Sequence, residues 1–319
     1  MTNKIKTILI IDNSDVNWKD FFNSTSPQLI DKLAIYQANW NQLHLIASSN
    51  LGAIIKIDPE LQKDGIQKDN GIVIYPELVL VRTIIQQSKY NADYRNILFG
   101  FKVANIICIN SIESLYTCLE RPWLTSILQN IKLIHGELKF PLIDQTYYAD
   151  YSSIVNIKKF PIVIKVGHYH AGLGKMIIHD ENELADLRSI LALQSNYIII
   201  EPFLDKEFDI RVQKIGNHYR AFKRIGFESW KGNMGLAKLE EIPLDDSFKF
   251  WVDVCCEYLK GLDIFAIDAI RTTDGRDVIL ELNDSMIGLV PEFEKEDMGY
   301  MKELILEKLG LYKKIGYNF

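Results

Sequence analysis

Two apolar runs near the C-terminal end, Gly261-Leu262-Asp263-Ile264-Phe265-Ala266-Ile267-Asp268-Ala269-Ile270 and Val278-Ile279-Leu280-Glu281-Leu282-Asn283, flank an Asp274-Gly275 pair. Such a pattern predicts a β-hairpin, and the two-residue turn that Asp-Gly favours sets Asp268 directly opposite Glu281. Side-chain alternation then puts Asn283 on the same face. Two carboxylates facing each other among Ile, Leu and Ala repel at close range, which is costly unless a cation lies between them. An exposed hairpin edge could carry the same acids for solubility, but the flanks are too apolar for that reading. Oxygen ligands that include an amide suit magnesium, with waters and phosphate completing its shell, better than zinc; calcium or manganese would also be accommodated.

With 319 residues, 48% of them hydrophobic, the chain can bury a large core in more than one domain. The formal charge of -6 argues against a nucleic-acid surface, and basic residues gather only locally, where a small anion could be held. Cys108, Cys118, Cys255 and Cys256 show no C-x-x-C spacing and read as buried thiols. No run suits a membrane span or a secretory leader, so the expected location is the cytoplasm.

Up to about residue 105, short apolar runs such as Lys6–Asp12, Ala53–Ile57, Leu78–Arg82 and Ile106–Asn110 alternate with polar stretches, predicting an α/β region with parallel strands. Pro59–Gly71 reads as a surface loop or hairpin. Ile112–Ile134 has helical spacing, with Pro122 at a start or kink. From Phe160 the order is strand, glycine loop, strand, helix, strand, as in an α+β nucleotide-handling domain. Helices are expected at Glu183–Leu193, with Asp180 as cap, around Trp251–Leu262, and at Tyr300–Leu311 with Lys313-Lys314 beyond its end.

The strand Phe160–Val166 carries Lys165 on the same face as Val163, where a cation needs a phosphate or carboxylate partner. It runs into Gly167-His168-Tyr169-His170-Ala171-Gly172-Leu173-Gly174-Lys175, whose glycines let backbone N–H groups approach phosphate while Lys175 supplies charge. The loop is neither a Walker motif nor a dinucleotide fingerprint, and a tight hairpin turn would explain it alone. His168 and His170 lack the further ligands of a metal site and read as substrate-side or packing groups. In Glu201-Pro202-Phe203-Leu204, proline takes the chain out of a strand and leaves backbone groups beside apolar side chains, a slot for adenine. Glu207, Asp209 and Arg211 share a strand face, where acids can hold ribose hydroxyls and arginine a phosphate. Lys223-Arg224 and Lys231-Gly232-Asn233 form the strongest local basic cluster, suited to a terminal phosphate.

Strand lysine, glycine loop, Glu-Pro hinge, Asp-x-Arg strand, basic loop and acid with Glu-x-Asn follow the order of the ATP-grasp superfamily. Within it the chain resembles the synapsin family over nearly its whole length, through Asp93-Tyr94-Arg95, Asn110-Ser111, Pro122-Trp123, Phe140–Tyr148, Lys165-Val166-Gly167-His168, Glu201-Pro202-Phe203 and Asp209–Gly216. The resemblance implies a mixed α/β and α+β protein: a small Rossmann-like pre-ATP-grasp domain over 1–110, then an ATP-grasp domain over 111–319 whose subdomains, roughly 111–200 and 201–319, clasp Mg-ATP, in a homodimer. It implies that Lys165 holds the α-phosphate side, Glu201, Pro202, Phe203 and Leu204 the adenine, and Asp209 or Glu207 the ribose. Arg211, Arg224 and Asn233 would face the terminal phosphate or an acceptor, with Lys231 beside them, and Asp268, Glu281 and Asn283 the metal. Lys139 stands where the fold commonly has a further phosphate lysine.

Two departures qualify the resemblance. Animal synapsins add a regulatory N-terminal segment and a proline-rich C-terminal region, and this chain does not show them, so vesicle association is not expected. Synapsins also generally have an apolar residue at the position of Asn283 and glutamate at that of Asp268. Two functions are therefore expected to compete: regulatory Mg-ATP binding, and an active ATP-grasp kinase or ligase with a small anionic acceptor.

Overall fold

The computed structural model describes residues 5–13, 16–59, 71–87, 92–167, 173–225 and 238–311. In chain order the elements are β1 (Lys6–Ile11), α1 (Trp18–Thr25), β2 (Leu33–Ala38), β3 (Leu43–Ser48), β4 (Gly52–Ile57), β5 (Ile72–Ile74), β6 (Leu78–Val81), the short pair β7 (Gln86–Gln87) and β8 (Ala92–Asp93), α2 (Arg95–Val103) and β9 (Ile107–Ile109). Then come α3 (Ile112–Leu119), α4 (Arg121–His135), β10 (Thr146–Tyr148), β11 (Ile162–Val166), β12 (Lys175–Ile178), α5 (Glu181–Leu191) and β13 (Ile198–Pro202). The remainder is β14 (Lys206–Ile215), β15 (His218–Ile225), β16 (Lys238–Ile242), α6 (Asp246–Tyr258), β17 (Ile264–Thr272), β18 (Asp277–Asn283) and α7 (Glu294–Lys308).

The first region holds a parallel sheet ordered β2-β1-β6-β9, as its apolar runs predict. Its other strands differ from expectation. Ala53–Ile57 belongs to an antiparallel meander, β3-β4-β5, because three residues between β3 and β4 can make a hairpin but not a parallel crossover. The expected helix over 112–134 is two helices. Ser111 caps α3 by accepting the Ser114 N–H, and α4 starts anew beside Pro122 and ends at Gly136, where φ is 85°. Asp180 caps α5 as expected. The last helix begins six residues before Tyr300 and buries Asp297 and Met298 as well as Met301, Leu304 and Ile305. Most of Pro59–Gly71, and Lys313-Lys314, lie outside the described residues.

Two antiparallel sheets form the second region, β10-β13-β11-β12 and β16-β15-β14-β17-β18. Along β17 the alternation divides two environments. Phe265, Ile267 and Ala269 pack with Trp251 and Cys255 of α6 and Leu124 and Leu128 of α4. On the other face Ile264 and Ala266 join Ile8, Ile10, Leu78 and Leu80 of the parallel sheet and Met301 of α7, while Ile270 packs with Ile143 and Val278. Asp268 is the acid standing between those two apolar zones.

The hairpin pairs Asp268 with Glu281 as the sequence predicts, by a different route. Thr272 N–H donates to Arg276 O (2.8 Å), Gly275 N–H donates to Thr272 O (2.9 Å), and Gly275 has φ of 86°, so the turn is a three-residue loop closed by a left-handed glycine. That shifts the register by one residue near the turn, and a bulge at Leu280 shifts it back.

The regions are joined by Asn110, which is fully buried. Its Nδ2 donates to Ile264 O (2.7 Å) and its Oδ1 accepts from the backbone N–H of Asp263 (2.8 Å) and Ile264 (2.6 Å). Asn110→Ala would orphan two buried backbone groups of Ile264 and the partly buried N–H of Asp263, at about 1–3 kcal/mol each. A loss of at least about 3 kcal/mol in urea unfolding is expected; a loss under about 1 kcal/mol would show that this junction does not hold the regions together.

Candidate functional site: a charged cleft between two sheets

The two antiparallel sheets face each other across a cavity of about 140 Å³. One wall is Val163 and Lys165 of β11, Lys175 of β12, Glu201 of β13 and the following Pro202, Phe203 and Leu204; the other carries Asp209, Arg224, Asp268, Ile270, Leu280 and Glu281. Ile143, Val163, Leu204, Ile210, Ile270 and Leu280 make one part apolar, which suits a flat heterocycle. The charged side chains form the rest.

Strand pairing builds the charge pattern. Arg211, Asp268 and Glu281 are successive cross-strand neighbours on β14, β17 and β18, and Lys165 pairs across β11–β12 with Lys175. Like charges thus face each other twice, and they are compensated by opposite charges from both walls and from α4. Glu281 accepts from Arg121 (3.0 Å) and Lys175 (3.3 Å), with Lys165 at 4.0 Å. Burial alone would push its carboxyl up, but Lys175, Lys165 and Arg121 outweigh that and hold it well below the usual carboxylate range. Lys165, buried as expected, finds its carboxylate in Glu201 at 2.5 Å. Burial lowers the Lys175 pKa, with Lys165 and Arg121 adding to the shift and Glu281 opposing it. Asp268 is different: burial raises its pKa, Glu281 adds to the rise, and Arg211 opposes it. Its Oδ2 accepts the Asn283 amide at 2.8 Å, while its buried Oδ1 has no partner among the described residues.

Ten of the residues expected at the site therefore line one cavity: Lys165, Lys175, Glu201, Pro202, Phe203, Leu204, Asp209, Arg224, Asp268 and Glu281. Arg211 sits behind Asp268 with its Nε buried and unpartnered, and Gly174 closes the β11–β12 hairpin by accepting the Val166 N–H at 2.8 Å. Three expectations change. Glu207 falls at a bulge in β14 and is exposed, so it does not share a face with Asp209. Lys139 lies exposed in the loop after α4 and does not line the cavity. The backbone at the Glu-Pro hinge is not wholly free, because Phe203 N–H donates to Pro161 O at 3.1 Å. His168, Gly172, Lys231 and Asn233 lie outside the described residues.

Sequence reasoning missed Arg121, Gln145 and Lys206. Gln145 donates to Glu201 (2.6 Å), and Lys206 pairs with Asp209 (2.6 Å). A signal for Arg121 existed: a cation in the first turn of a helix opposes the helix dipole, so Arg121 beside Pro122 implies an acid from elsewhere.

The donor set also bears on a metal. Among the described residues no group of three or more His, Cys, Asp or Glu side chains converges, which disfavours a transition-metal cage. Two facing carboxylates, an orphaned oxygen and an adjacent amide instead fit a magnesium ion that takes its other ligands from water and phosphate.

A family model for the synapsin ATP-binding domain matches residues 110–311, and one for the synapsin pre-ATP-grasp domain matches 1–108. The chain belongs to the synapsin family. Synapsin of Drosophila melanogaster is 28% identical over 307 residues, 95% of this chain but 29% of the fly protein's length. Solved structures show that the fold is ATP-grasp. The ligase PsnB, solved with a phosphomimetic variant of its minimal precursor, Mg and ADP, superposes with a TM-score of 0.63 at 14% identity, covering 95% of this chain and 99% of that one. VanG D-Ala:D-Ser ligase of Enterococcus faecalis gives 0.59 at 12% identity, covering 97% and 100%. This synapsin-family chain thus has an ATP-grasp core with an ATP-binding domain, and among its described residues no helix is long and apolar enough to cross a membrane.

Asp284, next to the end of β18, is 4% exposed, and burial pushes its carboxyl up to about 6. The raised pKa means that folding favours the protonated acid, so this group's penalty is absent below about 4 and complete above about 6. Asp284→Asn keeps the oxygen that accepts Met286 N–H and removes the titration. The variant is expected to be more stable than wild type at pH 7.5, by on the order of 2–3 kcal/mol. The difference should shrink to about 1 kcal/mol near pH 4.5 and vanish near pH 3 in denaturant titrations; a gap independent of pH would refute the assignment.

Proposed function

We propose that this protein binds Mg-ATP in the cleft, with the base against Leu204, Ile143 and Ile270, the ribose near Asp209, and the phosphates between Lys165 and Lys175. One observation carries this reading: Asp268 and Glu281 face each other at the charged part of the cavity, with a buried Asp268 oxygen left unpartnered. Asp268 and Glu281 would hold the magnesium, with Asn283 steadying Asp268. The ion when bound would neutralise phosphate charge and bridge it to these acids. On binding, Lys165 and Lys175 exchange carboxylates for phosphate oxygens, and Glu201 keeps Gln145 as a partner.

A second reading, ATP-dependent transfer to a small anionic acceptor, is favoured by Arg211. It lies one strand beyond Asp268 with a buried, unpartnered Nε, and Arg224 lies nearby on β15, which pairs with β14. Two guanidinium groups beside the metal pair could orient an acceptor and stabilise charge developing on a transferring phosphoryl group. The solved ligases named above share the fold, and their reactions supply the analogy for this reading.

Calorimetric titration with ATP, with and without magnesium, tests the first reading. Glu281→Gln is expected to cost about 3 kcal/mol, or roughly 100-fold, in magnesium-dependent affinity. Unchanged affinity would overturn the metal assignment. ADP formation that depends on one member of a panel of carboxylates, amino acids and phosphorylated polyols, and that Arg211→Ala abolishes, would establish transfer. Tight binding without turnover across the panel favours the regulatory role.

A further inference from the structure

Glu281 is a partition between two recesses. On one side is the nucleotide cavity; on the other is a crevice of about 40 Å³ between the edge of β18 and α4, lined by Arg121, Thr125, Gln145, Leu142 and Asn283 among others. The three cations on Glu281 are divided by this partition. Lys165 and Lys175 reach it from the cavity and line that cavity, whereas Arg121 comes from the first turn of α4 and lines only the crevice. Arg121 Nη1 meets Oε2 at 3.0 Å with both side chains largely covered, 15% and 19% exposed. Its helix-start position is unfavourable to a cation, so the pair exists against the local dipole. The rigid guanidinium fork fixes an acceptor's orientation in a way that a flexible ammonium does not.

We propose that Arg121 is a positioning residue for the metal-binding carboxylate: its Nη1 holds Glu281 Oε2 from the crevice side, while Lys175 meets both carboxylate oxygens at 3.3 Å from the cavity side. The inference rests on the Mg-ATP reading and deepens it. When phosphates take Lys165 and Lys175, Arg121 is the cation of the three that stays on Glu281. A freed Glu281 would rotate, and losing the partner that orients a metal ligand typically weakens metal binding by about 10–100-fold.

The sign of one measurement separates positioning from simple charge. A fixed positive charge beside a cation site repels the cation, so if charge were all that mattered, Arg121→Gln would bind the metal more tightly. Positioning predicts the opposite. Manganese, titrated into the full-length protein with a non-hydrolysable ATP analogue and followed by electron paramagnetic resonance, is the probe. Arg121→Gln and Arg121→Ala are expected to bind Mn²⁺ at least about 10-fold more weakly than wild type. Arg121→Lys, which keeps the charge without the fork, should fall between. Circular dichroism and the melting temperature establish that each variant is folded, and Thr125→Val, on the same helix turn, controls for disturbance of the crevice. Equal or tighter Mn²⁺ binding by folded Arg121→Gln overturns the proposal while leaving the Mg-ATP reading intact. Wild type that binds no Mn²⁺ with the nucleotide analogue overturns that reading itself.

Discussion

The repulsion between Asp268 and Glu281 organises the rest of this molecule. Two acids in adjacent strands of a covered sheet can remain ionised only if cations surround them, and the chain brings those cations from every direction. Arg211 comes from the next strand, Lys165 and Lys175 from the opposing sheet, and Arg121 from a helix start. The small sheet is therefore positioned over the large one by more than packing. Its apolar core with α5 is its own, and the contacts that cross the cleft beside the acids are charged.

Much of this was legible because face and order are one-dimensional properties. The Val163/Lys165 alternation placed both on the cavity face, and the Asp268–Glu281 pairing emerged although the turn type was misjudged. The loop gained one residue and the bulge at Leu280 absorbed it, so two single-residue deviations cancelled. Cancellation of this kind is not accidental where one face is buried, since an uncorrected slip of β18 would turn Glu281 away from Asp268 and into the α4–α6 core. Glu207 shows the reverse case, because a bulge at the start of β14, where Glu207 is exposed, carries no such penalty and the alternation simply breaks.

What stayed hidden depended on long-range placement. The antiparallel meander of β3 to β5 was recoverable from the three-residue gap between its first strands, since a strand's apolar pattern does not report its neighbour's direction while its connection length does. Arg121 and Gln145 lie more than fifty residues from their acidic partners, and nothing local to either states where it will land. Lys139 illustrates the converse error: proximity to a recognisable string is not orientation, and the loop after α4 carries its side chain outward while Trp251 Nε1 bonds its carbonyl.

Charge balance finally limits what the cleft can bind. Among the described residues, every lysine lining it already has an acid: Glu201 for Lys165, Glu281 for Lys175, and Asp209 for Lys206. A bare polyphosphate would have to displace carboxylates from the lysines and then confront the freed carboxylates at close range. A bare divalent cation would meet Asp268 and Glu281 with Lys175 and Arg121 still beside them. Each ligand alone thus creates the repulsion that the other reduces: a divalent cation arriving with the polyphosphate cancels part of its charge, and the remainder falls to the cations that line the cleft. The paired charges of the cleft, more than any single lysine or acid, therefore set the chemistry that the two sheets can hold between them, and they suit the metal–nucleotide complex proposed above.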